Sequence, residues 1–347
     1  MKLAELLGIE LPIVQAPMAG VQASRLAIAV SAAGGLGSLP CAMLSAAAIG
    51  DEIRAIRAAT DKPFNLNFFC HAVPAVDAGR DARWRESLAA VHAEFGIDPA
   101  TIGAGAGRNP FDAEGAGIVE SLRPPVVSFH FGLPEPALLG RVKASGAIVM
   151  ASATTVAEAR WLEARGADVI IAQGLEAGGH RGHFLSMEIT EQLGLFALVP
   201  QVVAAVKLPV IAAGGVADAA GVRAALALGA SGVQVGTAFL RTPEADTSSL
   251  HRAALASEDA RHTALTNLFT GRPARGIVNR FLREHGPMSE LAPAFPLASA
   301  ASAPLRAAAE KQGSADFSAL WSGQNASGAR AVPAAEIVRE LAAGLAR

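Results

Sequence analysis

The segment QAPMAG, residues 15–20, ends the first apolar run of the chain, which opens at Pro12. A dinucleotide-binding fold carries GxGxxG after its first strand, and this chain has QAPMAG there instead. Further apolar runs of strand length follow, several of them apolar on both faces, as buried parallel strands are. The eight predicted strands span residues 12–17, 35–39, 63–69, 125–131, 147–152, 168–174, 209–215 and 232–239.

Helical patterns with capping signals separate these runs. Thr155 and Glu158 predict a capping box for a helix that ends at Gly166. Asp218 is a predicted N-cap, and Gly229 is the expected residue just past the end of that helix. Strand–helix alternation repeated about eight times is typical of a closed barrel or a doubly wound open sheet. Since GxGxxG is missing, we predict an α/β fold of the TIM (β/α)₈ barrel type.

Two long segments interrupt the alternation. One contains a helix pattern over residues 81–95, and the other, residues 242–323, contains short helical pieces and no convincing strand. Insertions after barrel strands emerge at the C-terminal face, so we expect a mainly helical lid there. A helix predicted over residues 334–345 completes the outer ring. The predicted barrel comprises residues 1–75, 109–243 and 322–347, and the predicted lid and substrate domain comprises residues 76–108 and 244–321.

The composition of the chain narrows the classes of partner and function that we expect. The chain has 347 residues, is 51% hydrophobic and 17% charged, and has a formal net charge of −2. It has no long basic block, so we expect neither nucleic-acid nor membrane partners. Two cysteines cannot build a disulfide framework, and no signal peptide or membrane span is evident. We therefore expect a cytoplasmic protein, a monomer or homodimer, whose partners are small molecules.

The last two predicted strands end in AAGG, residues 212–215, and QVGT, residues 234–237. In a barrel, the loops after these strands often bind phosphate. Gly214 and Gly215 let backbone N–H groups approach phosphate oxygens, and Gly236 and Thr237 add an amide and a hydroxyl. The alternative for each glycine is ordinary turn geometry.

The sixth strand leads into QGLEAGGHRGH, residues 173–183. Core packing does not explain a loop so rich in glycine and charge. His180 follows Gly178 and Gly179, which allow close approach to a ligand, and its ordinary pKa suits a general base. We interpret His183 as a bystander. No HxH, HExxH or carboxylate set has ligand spacing, and we predict no metal site.

Polar side chains also occur on two central strands. In SFHFG, strand alternation places His130 on the face of Ser128, away from Phe129 and Phe131. His130 is then a substrate contact or a packed polar residue.

A second polar pair lies one strand earlier. Asn65 and Asn67 share one face of the strand within PFNLNFF. A buried amide is costly without a partner, so one of the two is expected to meet a cofactor or substrate.

These residues resemble those of a known family. QAPMAG, FNLNFFCH, SFHFG, AQGLEAGGHRG, IAAGGVAD, ALGASGVQVGTAFL and LWSGQNA occur in this order over nearly the whole chain. Together they resemble the class I nitronate monooxygenases, formerly called 2-nitropropane dioxygenases.

The resemblance implies a barrel with a helical lid, tightly bound FMN and no need for a nicotinamide cofactor. It implies that His180 is the catalytic base and that His130 faces the substrate. The FMN contacts it implies, with those expected from the glycine loops, are Pro17, Met18, Asn67, Gln173, Gly178, Gly179, Gly214, Gly215, Gln234, Gly236 and Thr237.

The implied reaction is the oxidation of alkyl nitronates, and potentially nitroalkanes, with O₂ to a carbonyl compound and nitrite. The chain departs from the family in the lid, because it contains no tyrosine. Phe295, Ser299 and Ala303 stand where the family has Tyr, Tyr and Lys, and the first two are expected to contact substrate. This loss weakens the case for propionate 3-nitronate as the substrate.

Two alternative functions remain open at this point. One is an FMN-dependent NAD(P)H reductase of an enoyl thioester or quinone. The other is a flavin-binding protein whose catalysis has degraded.

Overall fold

A computed structural model describes residues 2–103 and 108–346 of the chain. All eight predicted strands are present, with bounds within a few residues of those expected. They are β1 (Ile13–Gln15), β2 (Gly37–Pro40), β3 (Phe64–Phe69), β4 (Val126–His130), β5 (Ile148–Ala153), β6 (Val169–Gln173), β8 (Val210–Ala213) and β9 (Gly232–Val235). Three further strands are β7 (Gly179–His180), β10 (Thr263–Thr266) and β11 (Ala274–Ile277).

The eight strands form one parallel sheet in the order β1-β9-β8-β6-β5-β4-β3-β2. A parallel bridge between Val14 and Leu36 joins its two ends. The main-chain N–H of Gln15 donates to Leu36 O at 2.9 Å, and the N–H of Leu36 donates to Ile13 O at 2.9 Å. The sheet is thus closed, and the predicted (β/α)₈ barrel is confirmed.

Fourteen α-helices accompany the strands in the described residues. They are α1 (Leu3–Leu7), α2 (Ser24–Ala32), α3 (Ala46–Ala59), α4 (Ala78–Ser87), α5 (Ala89–Glu94), α6 (Ala113–Leu122), α7 (Pro136–Ala144), α8 (Val156–Ala164), α9 (Leu195–Ala205), α10 (Ala219–Ala227), α11 (Ser249–Ala256), α12 (Arg280–His285), α13 (Ser299–Lys311) and α14 (Ala334–Ala342). None of the helices in residues 2–103 and 108–346 is long and apolar enough to cross a membrane.

The predicted caps are confirmed except for one. Thr155 and Asp218 accept N-terminal amides of α8 and α10, and Gly229 has the expected left-handed conformation. The capping box predicted for α8 was wrong for Glu158, whose carboxylate was expected to accept the main-chain N–H of Thr155. The Glu158 carboxylate accepts the main-chain and hydroxyl groups of Thr154, and its other oxygen accepts the Phe184 N–H at 2.6 Å. A buried carboxylate needs several donors, and the residue after β5 and the loop after β6 supply them.

The two inserted segments pack against each other. Trp84 and Leu88 share a buried apolar cluster with Phe281 and Phe317. The predicted helix over residues 81–95 is two helices, α4 and α5, that meet at Leu88. The division into barrel and lid, with its bounds, stays a prediction, and residues 104–107 of the predicted lid lie outside the described residues.

The expectation of no strand in residues 242–323 was wrong. Strands β10 and β11 pair antiparallel, and β11 pairs with β7 so that Ala274 lies opposite His180. Both strands are only four residues long and lack strict apolar alternation, which is why the pattern did not show them. This small sheet connects the second insertion to the loop that carries His180.

Candidate active site

A single cavity at the C-terminal ends of the barrel strands brings most of the predicted site together. All eleven residues expected to contact FMN line it, and so do His130 and His180. Its floor includes Gln173 at the end of β6, Ala213 at the end of β8 and Val235 at the end of β9. The carboxyl ends of barrel strands are where such enzymes place their sites.

One wall of the cavity is built from the glycine-rich strand ends. Gly214 and Gly215 follow β8 with φ values of 121° and 70°, which side-chain-bearing residues rarely adopt. At Gly236, a Cβ would lie 3.3 Å from the Ala16 Cβ and 3.5 Å from the Met18 sulfur. Main chain is therefore exposed to a ligand where a side chain would intrude.

One buried atom on this wall lacks a partner. Gln234 Oε1 is buried and accepts no hydrogen bond from any described residue. A buried amide oxygen without a donor costs about 1–3 kcal/mol. A ligand that donates a hydrogen bond here, as the ring N–H of an isoalloxazine does, would remove that cost. The residues present thus fit a flavin.

His180 lines the same cavity and is held through both its main chain and its ring. Its carbonyl accepts Gln173 Nε2 at 2.9 Å and His130 Nε2 at 3.2 Å. Its ring Nε2 shares a hydrogen bond with Thr270 Oγ1 at 2.9 Å. The ring Nδ1 makes no hydrogen bond to any residue the structure describes. One ring nitrogen is thus positioned by the protein, and the other is available to a substrate.

An aromatic wall surrounds the His180 ring. Ring centroids lie 5.3 Å away for Phe295, 5.6 Å for Trp321, 6.2 Å for Phe131 and 6.4 Å for Phe69. The imidazole itself is half-buried and lines the cavity.

One of these rings was placed wrongly by the strand pattern. Phe131 was expected on the face of Phe129, away from the site. It lies past the end of β4 with φ 69°, a left-handed conformation that interrupts strand alternation, and its ring packs beside His180.

The surroundings of His180 lower its pKa well below 6.5. Burial is the largest cause, because it disfavours the imidazolium. Positive charge on Arg108 and Arg272, with the nearby rings of His130 and His71, adds to the shift. His180 is therefore neutral at neutral pH and has a lone pair that can accept a proton.

His130 uses both ring nitrogens within the protein. Its Nε2–H donates to the His180 carbonyl, and Ser152 Oγ donates to its Nδ1 at 2.6 Å. Burial lowers the pKa of His130 to about 3. Of the two alternatives for this residue, the geometry favours a packed polar residue that holds the His180 main chain.

The two asparagines of β3 form one polar layer with Ser128. Asn65 Nδ2 donates to Ser38 Oγ at 3.0 Å and Ser128 Oγ at 2.9 Å. Asn67 Nδ2 donates to Ser128 Oγ at 3.0 Å. Asn67 lines the cavity and Asn65 lies beneath it, so Asn67 is the one that can meet a ligand.

The loop after β6 is held by its charged residues. Arg181 is fully buried and donates to the carbonyls of Gln173 and Gly174 at 2.8 Å and 2.7 Å. Burial lowers the pKa of Arg181 to about 9. The Glu176 carboxylate accepts the Leu195 N–H. His183, interpreted as a bystander, is buried away from the cavity wall, and neither ring nitrogen has a partner among the described residues.

The two predicted substrate contacts of the lid differ. Phe295 packs against the His180 ring but does not itself line the cavity. Ser299 begins α13 and does not line the cavity either, and its hydroxyl donates to Pro296 O at 2.8 Å. Ala303, expected at the position of the family's lysine, is exposed.

Several cavity residues were not singled out from the sequence. Arg108, His251 and Trp321 line the cavity, and Thr270 contacts His180. Only Trp321 carried a signal, since it belongs to the quoted LWSGQNA motif. Within residues 2–103 and 108–346, no group of three His, Cys, Asp or Glu side chains is arranged to hold a metal ion.

Comparison with known proteins identifies the family. The nitronate monooxygenase family model matches residues 1–344. A nitronate monooxygenase of Paraburkholderia phytofirmans is 44% identical over 98% of this chain and 93% of its own length. The chain belongs to the nitronate monooxygenase family. Enzymes of this family are flavin-dependent oxidoreductases.

Solved structures agree with this assignment. The structure of a nitroalkane oxidase from Streptomyces ansochromogenes superimposes with a TM-score of 0.89 and 42% identity, covering 99% of this chain and 97% of that one. FabK from Thermotoga maritima is more distant, with a TM-score of 0.69 and 27% identity over 97% of this chain and 93% of its own.

Proposed function

We propose that this protein is a nitronate monooxygenase that binds FMN and oxidises alkyl nitronates with O₂ to a carbonyl compound and nitrite. The observation that carries the proposal is that a neutral His180, packed among aromatic rings, lines one cavity together with the glycine-rich strand ends. Family membership and the similarity to a nitroalkane oxidase support it.

The cavity wall built from the glycine-rich strand ends, called the barrel wall below, would hold FMN. Gly214, Gly215, Gly236 and Thr237 present main chain and a hydroxyl suited to the phosphate. Gln234, Gln173 and Asn67 would contact the ring system, and Pro17 and Met18 would lie beside it. When bound, the cofactor supplies an acceptor for electrons from the substrate carbon.

His180 would act on the substrate as base and hydrogen-bonding group. In the tautomer whose Nε2–H donates to Thr270 Oγ1, the Nδ1 lone pair is free to accept the α-proton of a nitroalkane. A substrate supplied as the nitronate has already lost that proton. For such a substrate, the other neutral tautomer would serve, in which Nε2 accepts the Thr270 hydroxyl and Nδ1–H donates to the anion.

The surrounding groups would hold His180 in position and favour its neutral form. Gln173 and His130 hold its carbonyl, which sets the direction of the side chain. Phe69, Phe131 and Phe295 pack beside the imidazole, and this burial lowers its pKa and favours the neutral form.

An anaerobic titration tests this function. The purified flavoprotein is mixed with ethyl nitronate without O₂, and the oxidised flavin absorbance is followed, with NADH and NADPH added separately. We expect loss of the oxidised band with the nitronate alone. Loss of the band with NADH or NADPH alone would instead identify a reductase. A flavin that responds to neither would identify a binding protein without this catalysis.

A further inference from the structure

Arg108 is the charged residue of the described cavity wall. It is half-buried, and no described residue lining this cavity carries a carboxylate. Arginine keeps its proton at any physiological pH. The cavity is therefore electropositive on the side that faces His180.

The guanidinium of Arg108 has no acidic partner within residues 2–103 and 108–346. Its contacts are the Met43 sulfur at 3.9 Å and the face of the Phe295 ring, whose centroid is 5.7 Å from the guanidinium carbon. Neither group neutralises a full positive charge. A half-buried cation without a counter-ion is costly, and an anionic ligand would remove that cost.

The main chain of Arg108 is anchored by a second buried residue. His71 Nε2–H donates to the Arg108 carbonyl at 3.0 Å, and the His71 ring packs edge-on against Phe295 at 4.8 Å. Because Phe295 also contacts His180 at 5.3 Å, one aromatic ring contacts both the guanidinium and the proposed base.

Arg108 supplies a positive charge that the lid lacks where the family's lysine is expected. Ala303 stands at that expected position, and its side chain is exposed. Arg108 comes from a different segment of the chain and lines the cavity.

We propose that Arg108 binds the oxyanion of the substrate, a nitronate or a carboxylate group, and that His71 positions it. The inference rests on the proposed nitronate oxidation. A planar guanidinium pairs with either group through two parallel hydrogen bonds. Arg108 would thereby favour anionic nitronates over neutral nitroalkanes.

Steady-state kinetics test the role of Arg108. Arg108→Gln is compared with wild type on ethyl nitronate, propionate 3-nitronate and neutral nitroethane, with flavin content and thermal midpoint measured to verify folding. We expect KM to rise at least about tenfold for the anions while kcat changes less than about twofold. Arg108→Lys should recover part of the affinity.

The substrates distinguish the two sources of the oxyanion. A rise in KM for both anions assigns Arg108 to the nitronate group, and a rise for propionate 3-nitronate alone assigns it to the carboxylate. Arg306→Gln is the matched control, since it removes an exposed charge near Arg108 that is not on the cavity wall. Unchanged KM for both anions, an equal rise for nitroethane, or the same effect in Arg306→Gln would overturn the proposal.

A binding measurement separates this proposal from the proposed function. Butyrate has the planar oxyanion of a nitronate but is not oxidised, and its affinity is measured by calorimetry. If wild type oxidises no nitronate, the proposed function fails. Butyrate binding by Arg108→Gln that is at least about tenfold weaker than by wild type would still support the anion site. Equal binding, or none by wild type, would overturn it.

His71 has its own test as a positioning residue. His71→Phe removes the hydrogen bond to Arg108, and His71→Gln keeps a donor on a side chain of similar reach. We expect a rise in KM for the anions in His71→Phe that His71→Gln partly restores, with kcat nearly constant. Loss of kcat in both variants at unchanged KM would contradict a role through Arg108.

Discussion

The two walls of the cavity are built in different ways. The barrel wall is main chain and amides at the ends of parallel strands, where Gly214, Gly215 and Gly236 keep side chains out. The aromatic wall is made of the side chains around His180. Thr270 from the second insertion and Arg108 from the end of the first contact these residues. We infer that the barrel wall binds the cofactor, as its shape is set by the sheet, and that the aromatic wall selects the substrate.

The largest expected effect comes from His180, which lies between the walls. His180→Asn removes the base, so kcat/KM for nitroethane should fall about 10²–10⁴-fold. For ethyl nitronate, which needs no proton abstraction, the loss should be smaller. Steady-state assays at equal flavin content measure both. Equal activity of variant and wild type on both substrates would refute the assignment.

A glycine substitution tests the barrel wall. Gly215→Ala places a Cβ at φ 70°, a strain of about 1–2 kcal/mol, where main chain is proposed to meet the phosphate. FMN affinity, measured by fluorescence titration of the apoprotein, should weaken about tenfold, with little change in the KM for nitronates.

The control for this strain lies elsewhere in the chain. Gly313 has a similar φ of 75°, and a Cβ there would meet no atom within 4 Å. Gly313→Ala should cost similar thermal stability and leave FMN affinity unchanged. Equal FMN affinities in the two variants would mean that the Gly215 loop does not contact the cofactor.

Substitution of Thr270 tests whether the second insertion affects the proposed base, His180. Thr270→Val keeps the shape but removes the hydrogen bond to His180 Nε2, and an ordinary hydrogen bond contributes about 0.5–1.5 kcal/mol. We expect kcat for nitroethane to fall about three- to tenfold, with FMN affinity unchanged. Thr270→Ser should restore most of the rate. A rate in Thr270→Val equal to wild type would show that the tautomer of His180 is set by something else.

The smallest expected effect is a shift in a pH profile. The pKa of His180 is lowered by burial and by positive charge on Arg108 and Arg272, with His130 and His71 adjoining. A base with a lowered pKa loses activity only when the pH falls through that lowered value, so kcat/KM for nitroethane should stay level down to well below pH 6.5. Arg108→Gln removes one cation, which raises the pKa and should move the acid limb to higher pH. An acid limb that stays in place or moves lower would contradict this coupling.

The two walls also differed in how far the sequence predicted them. The strand runs, the capping residues Thr155 and Asp218, and the glycines after β8 and β9 are local patterns. All eleven residues expected at the cofactor site line the cavity. Among the residues of the aromatic wall and its neighbours, Phe295 was expected. Arg108 and Thr270 were not expected, because nothing in their local sequence distinguishes them from ordinary loop residues.

By itself, the sequence determined the barrel, the family and the position of His180 after the sixth strand. The barrel follows from short-range periodicity, and the position of His180 follows from the glycine-rich segment after the sixth strand. The family follows from the resemblance of the ordered motifs. Only the tertiary structure decided that β11 pairs with the His180 segment, that Phe131 packs beside His180 and that Arg108 faces His180 beside Phe295. Those features depend on contacts between residues far apart in the chain, and such contacts leave no periodic pattern in either segment.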